Sequence, residues 1–469
     1  MHMLKKIGFY IVAKFVPLLV IMLTTYFFSR WLTPSQYGQY SLVISIASGL
    51  SIIAFQWINV TLGRLIPKSS ADVKIKIINS GLILYFISSI LVLFLCFIFG
   101  EFIEDNFKTS SYLIALLAVA LGGFELSQRI FNSEERVLAF GIFQGIRGVV
   151  FFSFALCFYY TEYIYPGVVY ALIASYILLS TPNIYKLLFL RKKDFIPNSI
   201  KEIAVFGFPL ILTYVLLYVL NSSSKILLTV MLDETYTGYF SLGSDTVQMI
   251  IISVMGVVQL AIYPIVIGAY NKNDEDRYNI FSKSNQWVLL ILLPVTAGFI
   301  GISKGLFYFL LPEEAYLRVI PIVPFLIIAN LFVQLKSLIF DYAFHISKKN
   351  GKQFLPVFCG AFTSVALNVM LIDGYGLEGS AFSYCIGCFV YMTMSYLIGR
   401  KIFKYPSIDV GFLFKVTVSS LLMLLIVIQI PNDSIFQFVI SIVVGALSYI
   451  ALITTMFYPQ LKKYINSNN

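Results

Sequence analysis

The chain has 469 residues, 59% of them hydrophobic and only 12% charged, with a formal net charge of +10. A soluble core cannot absorb that much apolar side chain, so the composition excludes an ordinary globular domain and points to a lipid environment. No basic soluble domain is present to bind nucleic acid, and the positive balance reads mostly as a topology signal with some attraction to anionic lipid.

A hydrocarbon slab about 30 Å thick is crossed by about 20 apolar residues in a helix that rises about 1.5 Å per residue. Fourteen such stretches are predicted. The first seven lie at 8–30, 39–62, 77–100, 111–131, 138–160, 166–190 and 203–232, and the second seven at 238–267, 280–302, 319–345, 353–372, 377–399, 411–430 and 434–456. The first follows Lys5 and Lys6 as a signal peptide would, but its apolar run is too long and no small-residue cleavage site follows, so it is read as a span. The fold class expected is an all-α polytopic membrane protein.

Lys and Arg near span ends are retained on the cytoplasmic side, whereas Asp and Glu contribute little to topology. Here the cations gather in every second connection. Lys5 and Lys6 are followed by Arg64, Lys68, Lys74 and Lys76, by Arg136, by Arg191 to Lys193 with Lys201, and by Lys272, Arg277 and Lys283. Lys348, Lys349 and Lys352, then Arg400, Lys401 and Lys404, then Lys462 and Lys463 continue the pattern, while the other face carries Arg30, Lys108, Lys304 and Arg318. An even span count preserves this separation, so both termini are placed in the cytoplasm.

Cys96, Cys157, Cys359, Cys385 and Cys388 all fall within predicted spans and read as small apolar residues. The CxxC of Cys385 and Cys388 has no second pair and no adjacent His, so no metal site is expected. Asp274 and Asp276 form a DxD, but in a short loop beside Asn273, Glu275 and Arg277 they read as a solvated cap on the next helix. No connection is long enough to hold a catalytic domain, and no enzyme is expected.

Leu32, Gly38, Tyr40, Ser41 and Leu42 recur at an offset of 200 as Leu232, Gly238, Phe240, Ser241 and Leu242, each time after a span with an early proline, Pro17 or Pro209. Six spans separate the copies, so the repeat is parallel, with its axis along the membrane normal. The expected organisation is a six-helix bundle over 1–195, a second over 196–405, two further spans and a tail over 406–469, and a central cavity that opens alternately to either side. Pro17 and Pro209 each remove a helical hydrogen bond and are candidate hinges.

A charge at the bilayer centre costs about 2.5 to 3.5 kcal/mol on insertion scales, so ionisable residues inside spans call for explanation. The cations are Lys14, Arg129, Arg147, Lys225 and Lys336, and the anions Glu125, Asp245 and Asp341. Glu125 and Arg129 are spaced for an intrahelical pair. Lys336 and Asp341, five apart, are turned about 140° from one another in an α-helix and are not expected to pair directly. A hydrated, mildly positive cavity solvates the surplus, and a phosphate or pyrophosphate would suit it.

The phrase from Leu32 through Thr33, Pro34, Ser35, Gln36, Tyr37, Gly38, Gln39, Tyr40 and Ser41 to Leu42 resembles the corresponding turn of bacterial polysaccharide flippases of the multidrug/oligosaccharidyl-lipid/polysaccharide exporter superfamily. Phe206, Gly207 and Pro209 through Asn221, Ser222 and Ser223 look like the family's seventh span, and Lys348 to Lys352 and Tyr375 to Ser380 also match, so the resemblance covers nearly the whole chain. It implies a flippase of polyprenyl-pyrophosphate-linked oligosaccharides, such as O-antigen or capsule repeat units, in the bacterial inner membrane beside polysaccharide-assembly proteins. The cargo would be held by Arg147, Lys225, Lys336, Arg129 and Lys14, with no bound cofactor and a proton or sodium gradient as the driving force. Many relatives carry an acid just before the basic residue of span seven, where this chain has Ser224 before Lys225. Coupling then falls to Asp245, Glu125 or Asp341. A peptidoglycan-precursor flippase shares these features, a multidrug exporter shares the architecture, and a membrane glycosyltransferase or polymerase lacks its domain here.

Overall fold

The computed structural model describes residues 19–20, 22–100, 105–134, 136–161, 164–190, 197–269, 274–347, 349–407, 409–431 and 434–468. Helix dominates, with no strand among the described residues, as lipid demands of a backbone that must satisfy its own polar groups. In chain order the helices are α1 (22–31), α2 (Pro34–Ser51), α3 (Trp57–Leu65), α4 (Ala71–Gly100), α5 (Asp105–Ser133), α6 (Val137–Tyr159), α7 (Ile164–Leu190) and α8 (Pro197–Met231). There follow α9 (Glu234–Gly268), α10 (Asp274–Leu310), α11 (Glu313–Val319), α12 (Val323–Leu335), α13 (Tyr342–Ile346), α14 (Phe354–Gly399), α15 (Val410–Ile428) and α16 (Ile435–Asn468). Single π-helical turns, Ile52–Gln56 and Lys336–Phe340, join α2 to α3 and α12 to α13.

Twelve helices among the described residues are long and apolar enough to cross a membrane. One of them, Gly351–Gly399, holds two of the spans read from sequence. Gly376 takes φ 52° and ψ −124° inside α14, a backbone state essentially reserved for glycine. Beyond it the chain folds back on itself: Gly360 faces Tyr391, Gly387 faces Ser364, and the Ser380 hydroxyl donates to Asn368 Oδ1 at 2.7 Å. The stretches 353–372 and 377–399 are thus the two arms of an antiparallel hairpin. The other eleven candidates coincide within several residues with predicted spans. Of the span predicted at 8–30, residues 8–18 and 21 lie outside the described residues, Lys14 and Pro17 among them. Outward-facing Phe86, Ile87, Ile90, Leu91, Phe94 and Phe97 on α4, and Ile435, Phe436, Val439, Ile442 and Leu447 on α16, present the broad apolar surface of a multi-pass membrane protein.

By packing the chain divides into Met1–Ser241 and Leu242–Asn469. Lipid tails are as apolar as leucine, so helices in a membrane associate through close packing at small residues and through polar contacts. In the first unit Phe55, Ile58, Leu62 and Ile66 meet Ile77, Ile78, Leu82, Tyr85, Leu126, Ile130 and Ile203. Phe55 occupies the space beside Gly122, and Gly207 lies against the Trp57 carbonyl. In the second unit Gly298 and Gly301 of α10 receive Met423 and Val427 of α15, while Tyr449 of α16 donates to the Leu290 carbonyl at 2.9 Å. The two C-terminal spans are therefore fastened to α10.

The repeat at offset 200 has a physical counterpart inside the first unit. Thr33 caps α2 in a capping box with Gln36, and Asp233 caps α9 by accepting from Thr235 and Tyr236. The two caps are themselves 200 apart. A Cβ on Gly38 would overlap the Glu234 carbonyl oxygen and one on Gly238 the Pro34 carbonyl oxygen, and Ser41 donates to Ser241 at 2.7 Å. Equivalent residues thus touch reciprocally across a local pseudo-twofold crossing.

Candidate functional site

Arg147 lies midway along α6. The contact of Phe131 with Phe143, ring centroids 5.3 Å apart, sets α5 against α6 and places Arg147 beside Phe124. Its guanidinium carbon sits 5.0 Å from the Tyr176 ring centre and 5.8 Å from that of Phe124. The Nε atom is buried with no hydrogen-bond partner. One turn beyond Phe124, Gln128 is 5% exposed and both of its amide atoms lack a partner. Ring faces hold the guanidinium electrostatically without consuming its in-plane donors, which remain matched to an anion's oxygens.

Lys225, on α8, donates from Nζ to Ser41 Oγ at 3.2 Å, and Ser41 passes the chain on to Ser241. The ammonium therefore stands at the reciprocal crossing of α2 and α9. Thr229 and Thr237 Oγ1 both donate to the Lys225 carbonyl, at 3.1 and 3.0 Å, tying the start of α9 to this turn of α8.

Glu125 and Arg129 stand one turn apart on α5 with their charges in each other's field, yet no ion pair of 4.0 Å or less joins them. The Arg129 stem runs along Gly63 of α3, and Tyr214 of α8 is a close electrostatic neighbour. On α3, between Phe55 of the preceding π turn and Gly63, Asn59 is 2% exposed with neither amide atom paired.

Lys336 and Asp341 correct the sequence reading. Their charged atoms are 2.7 Å apart, with side chains 6% and 11% exposed. The 140° estimate assumed an α-helix, whereas residues 336–340 form a π turn in which the Asp341 amide bonds to the Lys336 carbonyl at 2.9 Å. A wider turn brings residues five apart onto one face. Lys336 also donates to the Tyr391 hydroxyl, and Ser395 donates to Asp341 Oδ1 at 3.1 Å. Tyr405, in the connection after α14, donates to the Phe340 carbonyl at 2.7 Å; burial, and then the Asp341 carboxylate, hold its phenol above the ordinary range. The Lys336 charge is thus committed within its own unit.

Asp245 of α9 accepts from Ser244 at 3.4 Å and lies in the electrostatic surroundings of Tyr384. The helix α8 continues unbroken through position 209. Glu275 and Asp276 lie in the first turn of α10, where acidic residues complement the helix dipole. No group of three or more His, Cys, Asp or Glu able to hold a metal ion occurs among the described residues. Sequence reasoning missed Tyr176, Gln128, Asn59, Tyr391 and Ser395, and read Ser41 only as part of the repeat. For the amides a signal existed: like the charges, Asn59 and Gln128 interrupt apolar spans.

The chain matches the family described as "Polysaccharide biosynthesis protein" over residues 3–269. No curated protein matches it in sequence. Among solved structures it is similar to the lipid II flippase MurJ in an inward closed conformation, with TM-score 0.73 and 14% identity over 96% of this chain and 99% of that one. It is also similar to an inward-facing multidrug resistance MATE family transporter of the MOP superfamily, with TM-score 0.57 and 17% identity over 83% and 97%. A third is a MOP superfamily transporter from Pyrococcus furiosus described by the reversed polarity of its binding pocket, with TM-score 0.55 and 14% identity over 84% and 94%. These likenesses establish the fold.

Proposed function

Since the chain belongs to the polysaccharide biosynthesis protein family and has the fold of MOP-superfamily flippases and exporters, we propose that it is a flippase for polyprenyl-pyrophosphate-linked oligosaccharide repeat units. It moves them across the bacterial inner membrane by alternating access, for assembly of a surface polysaccharide such as O-antigen or capsule. Both termini lie in the cytoplasm, a proton or sodium gradient supplies the drive, and polysaccharide-assembly proteins receive the product. The two repeat bundles, 1–195 and 196–405, move against each other, with Pro209 and Pro17 as hinges.

The observation that carries the reading is Arg147. Its guanidinium sits over the ring faces of Tyr176 and Phe124 with Nε buried and unpaired, and a charge inside a span costs about 2.5 to 3.5 kcal/mol unless something offsets it. A pyrophosphate supplies the missing counter-charge in the bidentate geometry that guanidinium favours. Arg129 and Lys225 add positive potential, and the polyprenyl tail stays in lipid.

The test is transport of a fluorescent polyprenyl-pyrophosphate-linked saccharide in proteoliposomes. Arg147→Ala is expected to slow it at least about tenfold, the equivalent of roughly 1.4 kcal/mol, with a melting temperature no lower than the parent's, and Arg147→Lys to retain part of the rate. Parent-like transport by Arg147→Ala, with an organic cation competing, would replace this reading with a multidrug exporter. A lipid-linked peptidoglycan precursor is the second cargo to try, because the lipid II flippase fold covers nearly the whole chain, including its C-terminal helices.

A further inference from the structure

Glu125 is an acid midway along α5 that makes no ion pair of 4.0 Å or less among the described residues. Phe55, in the π turn that leads into α3, packs at Gly122 of α5, and Gly63 of α3 packs along Arg129. Two contacts rising together in both helices fix a parallel register. Asn59, one turn after Phe55 and one before Gly63, is then level with Glu125, itself between Gly122 and Arg129. Asn59 is 2% exposed, with Nδ2 and Oδ1 both unpaired. The segment begins in the π turn Ile52–Gln56, whose Ala54 carbonyl is taken by the Trp57 indole at 2.9 Å, and such turns recur at functional sites.

An amide with a free donor and a free acceptor side by side is the complement of a neutral carboxylic acid, which offers one O–H and one C=O. The complement of the ionised form is Arg129, one turn on along the same helix. We propose that Glu125 is a proton-binding site with two alternative partners. Ionised, it engages Arg129. Protonated, it donates its O–H to Asn59 Oδ1 and accepts from Asn59 Nδ2, and the Arg129 guanidinium is released toward an anion. Proton and anion then each favour the other's binding, as reciprocal coupling requires. The second half of this inference rests on the anionic cargo proposed above, and the first half does not.

The other ionisable groups around this turn of α5 are few. Tyr214 of α8 stands near Arg129. Tyr85 of α4 donates to the Val119 carbonyl at 2.9 Å. Tyr176 of α7 and Arg147 of α6 lie at Phe124, about 100° around the helix from Glu125. The packed helix α2 carries no charged residue, its ionisable groups being Tyr37 and Tyr40, and α3 carries Arg64, which is stacked over Phe206 at 3.9 Å.

Infrared difference spectra of the purified protein between high and low pH test the site without any cargo. The parent should gain a carboxylic-acid carbonyl band that Glu125→Gln lacks, and in Asn59→Leu the band should shift in frequency and appear only at lower pH. Retention of the full band in Glu125→Gln, or an unchanged band and midpoint in Asn59→Leu, overturns the proposal. Should Glu125→Gln fail to fold, Asn59→Leu decides alone. For the coupling, inorganic pyrophosphate should bind the parent at least about fivefold more tightly at low pH, and Glu125→Gln tightly at every pH. Pyrophosphate that binds the parent equally at all pH overturns the release of Arg129. If it binds at no pH, the anionic cargo falls while the infrared band still decides the proton site.

Discussion

Two basic side chains that look alike in the sequence are put to opposite uses by their surroundings. Lys336 is closed into an ion pair with Asp341 and supported by Tyr391 and Ser395, whereas Arg147 meets two aromatic faces and leaves Nε unpaired. Removing one member of a buried pair strands the other's charge, at about 3 to 5 kcal/mol, while replacing both by apolar residues of similar volume is close to neutral. Lys336→Met should therefore lower the unfolding free energy in detergent by about that amount, and Lys336→Met with Asp341→Leu should restore most of it. If both single and double variants melt like the parent, the pair contributes nothing and Lys336 returns to the list of cargo contacts. Arg147→Ala should behave in the reverse way, losing transport and keeping stability.

At the level of the helix, glycines decide where segments turn and cross. Gly376 allows a 46-residue helix to double back, and any side chain there meets a conformation costing about 1 to 3 kcal/mol. Gly376→Ala should destabilise the second unit by that much, read as a fall in melting temperature. At the α2–α9 crossing the backbones approach so closely that a methyl group on Gly38 or Gly238 would enter a carbonyl oxygen. With the Ser41 and Ser241 hydroxyls 2.7 Å apart, cysteines at both positions lie within disulfide reach. The pair Ser41→Cys and Ser241→Cys, in a background without the five native cysteines, should cross-link under mild oxidant as a band of altered mobility, with Ser41→Cys and Val43→Cys alone giving none. Failure of the pair to cross-link would place the two helices apart.

Across the whole molecule, what the sequence made legible is what depends on composition and length. Span positions followed from runs of apolar residues, and the repeat from Gly38 and Gly238, whose role is visible only as a reciprocal contact. Less legible was anything that depended on departures from ideal helix geometry. Lys336 and Asp341 appeared unpaired because a π turn has no sequence signature as plain as a proline, and Gly376 was one glycine among 29. Asn59 and Gln128 were overlooked because they carry no charge, although burying an unpaired amide is costly too. Membrane orientation stands on a different footing, since it rests on Lys and Arg being retained at the cytoplasmic face. Lys74, Glu134 and Arg136 join two successive connections of the cation-rich face, at 3.7 and 3.1 Å, so the ends of α4 and α5 that carry them lie on one side. Single cysteines placed at Arg136, Lys352 or Arg400 should then resist a membrane-impermeant maleimide added to intact cells and react after permeabilisation, whereas cysteines at Lys304 or Arg318 should react from outside. Labelling of Lys304→Cys only after permeabilisation would invert the second unit and make an odd number of crossings precede it.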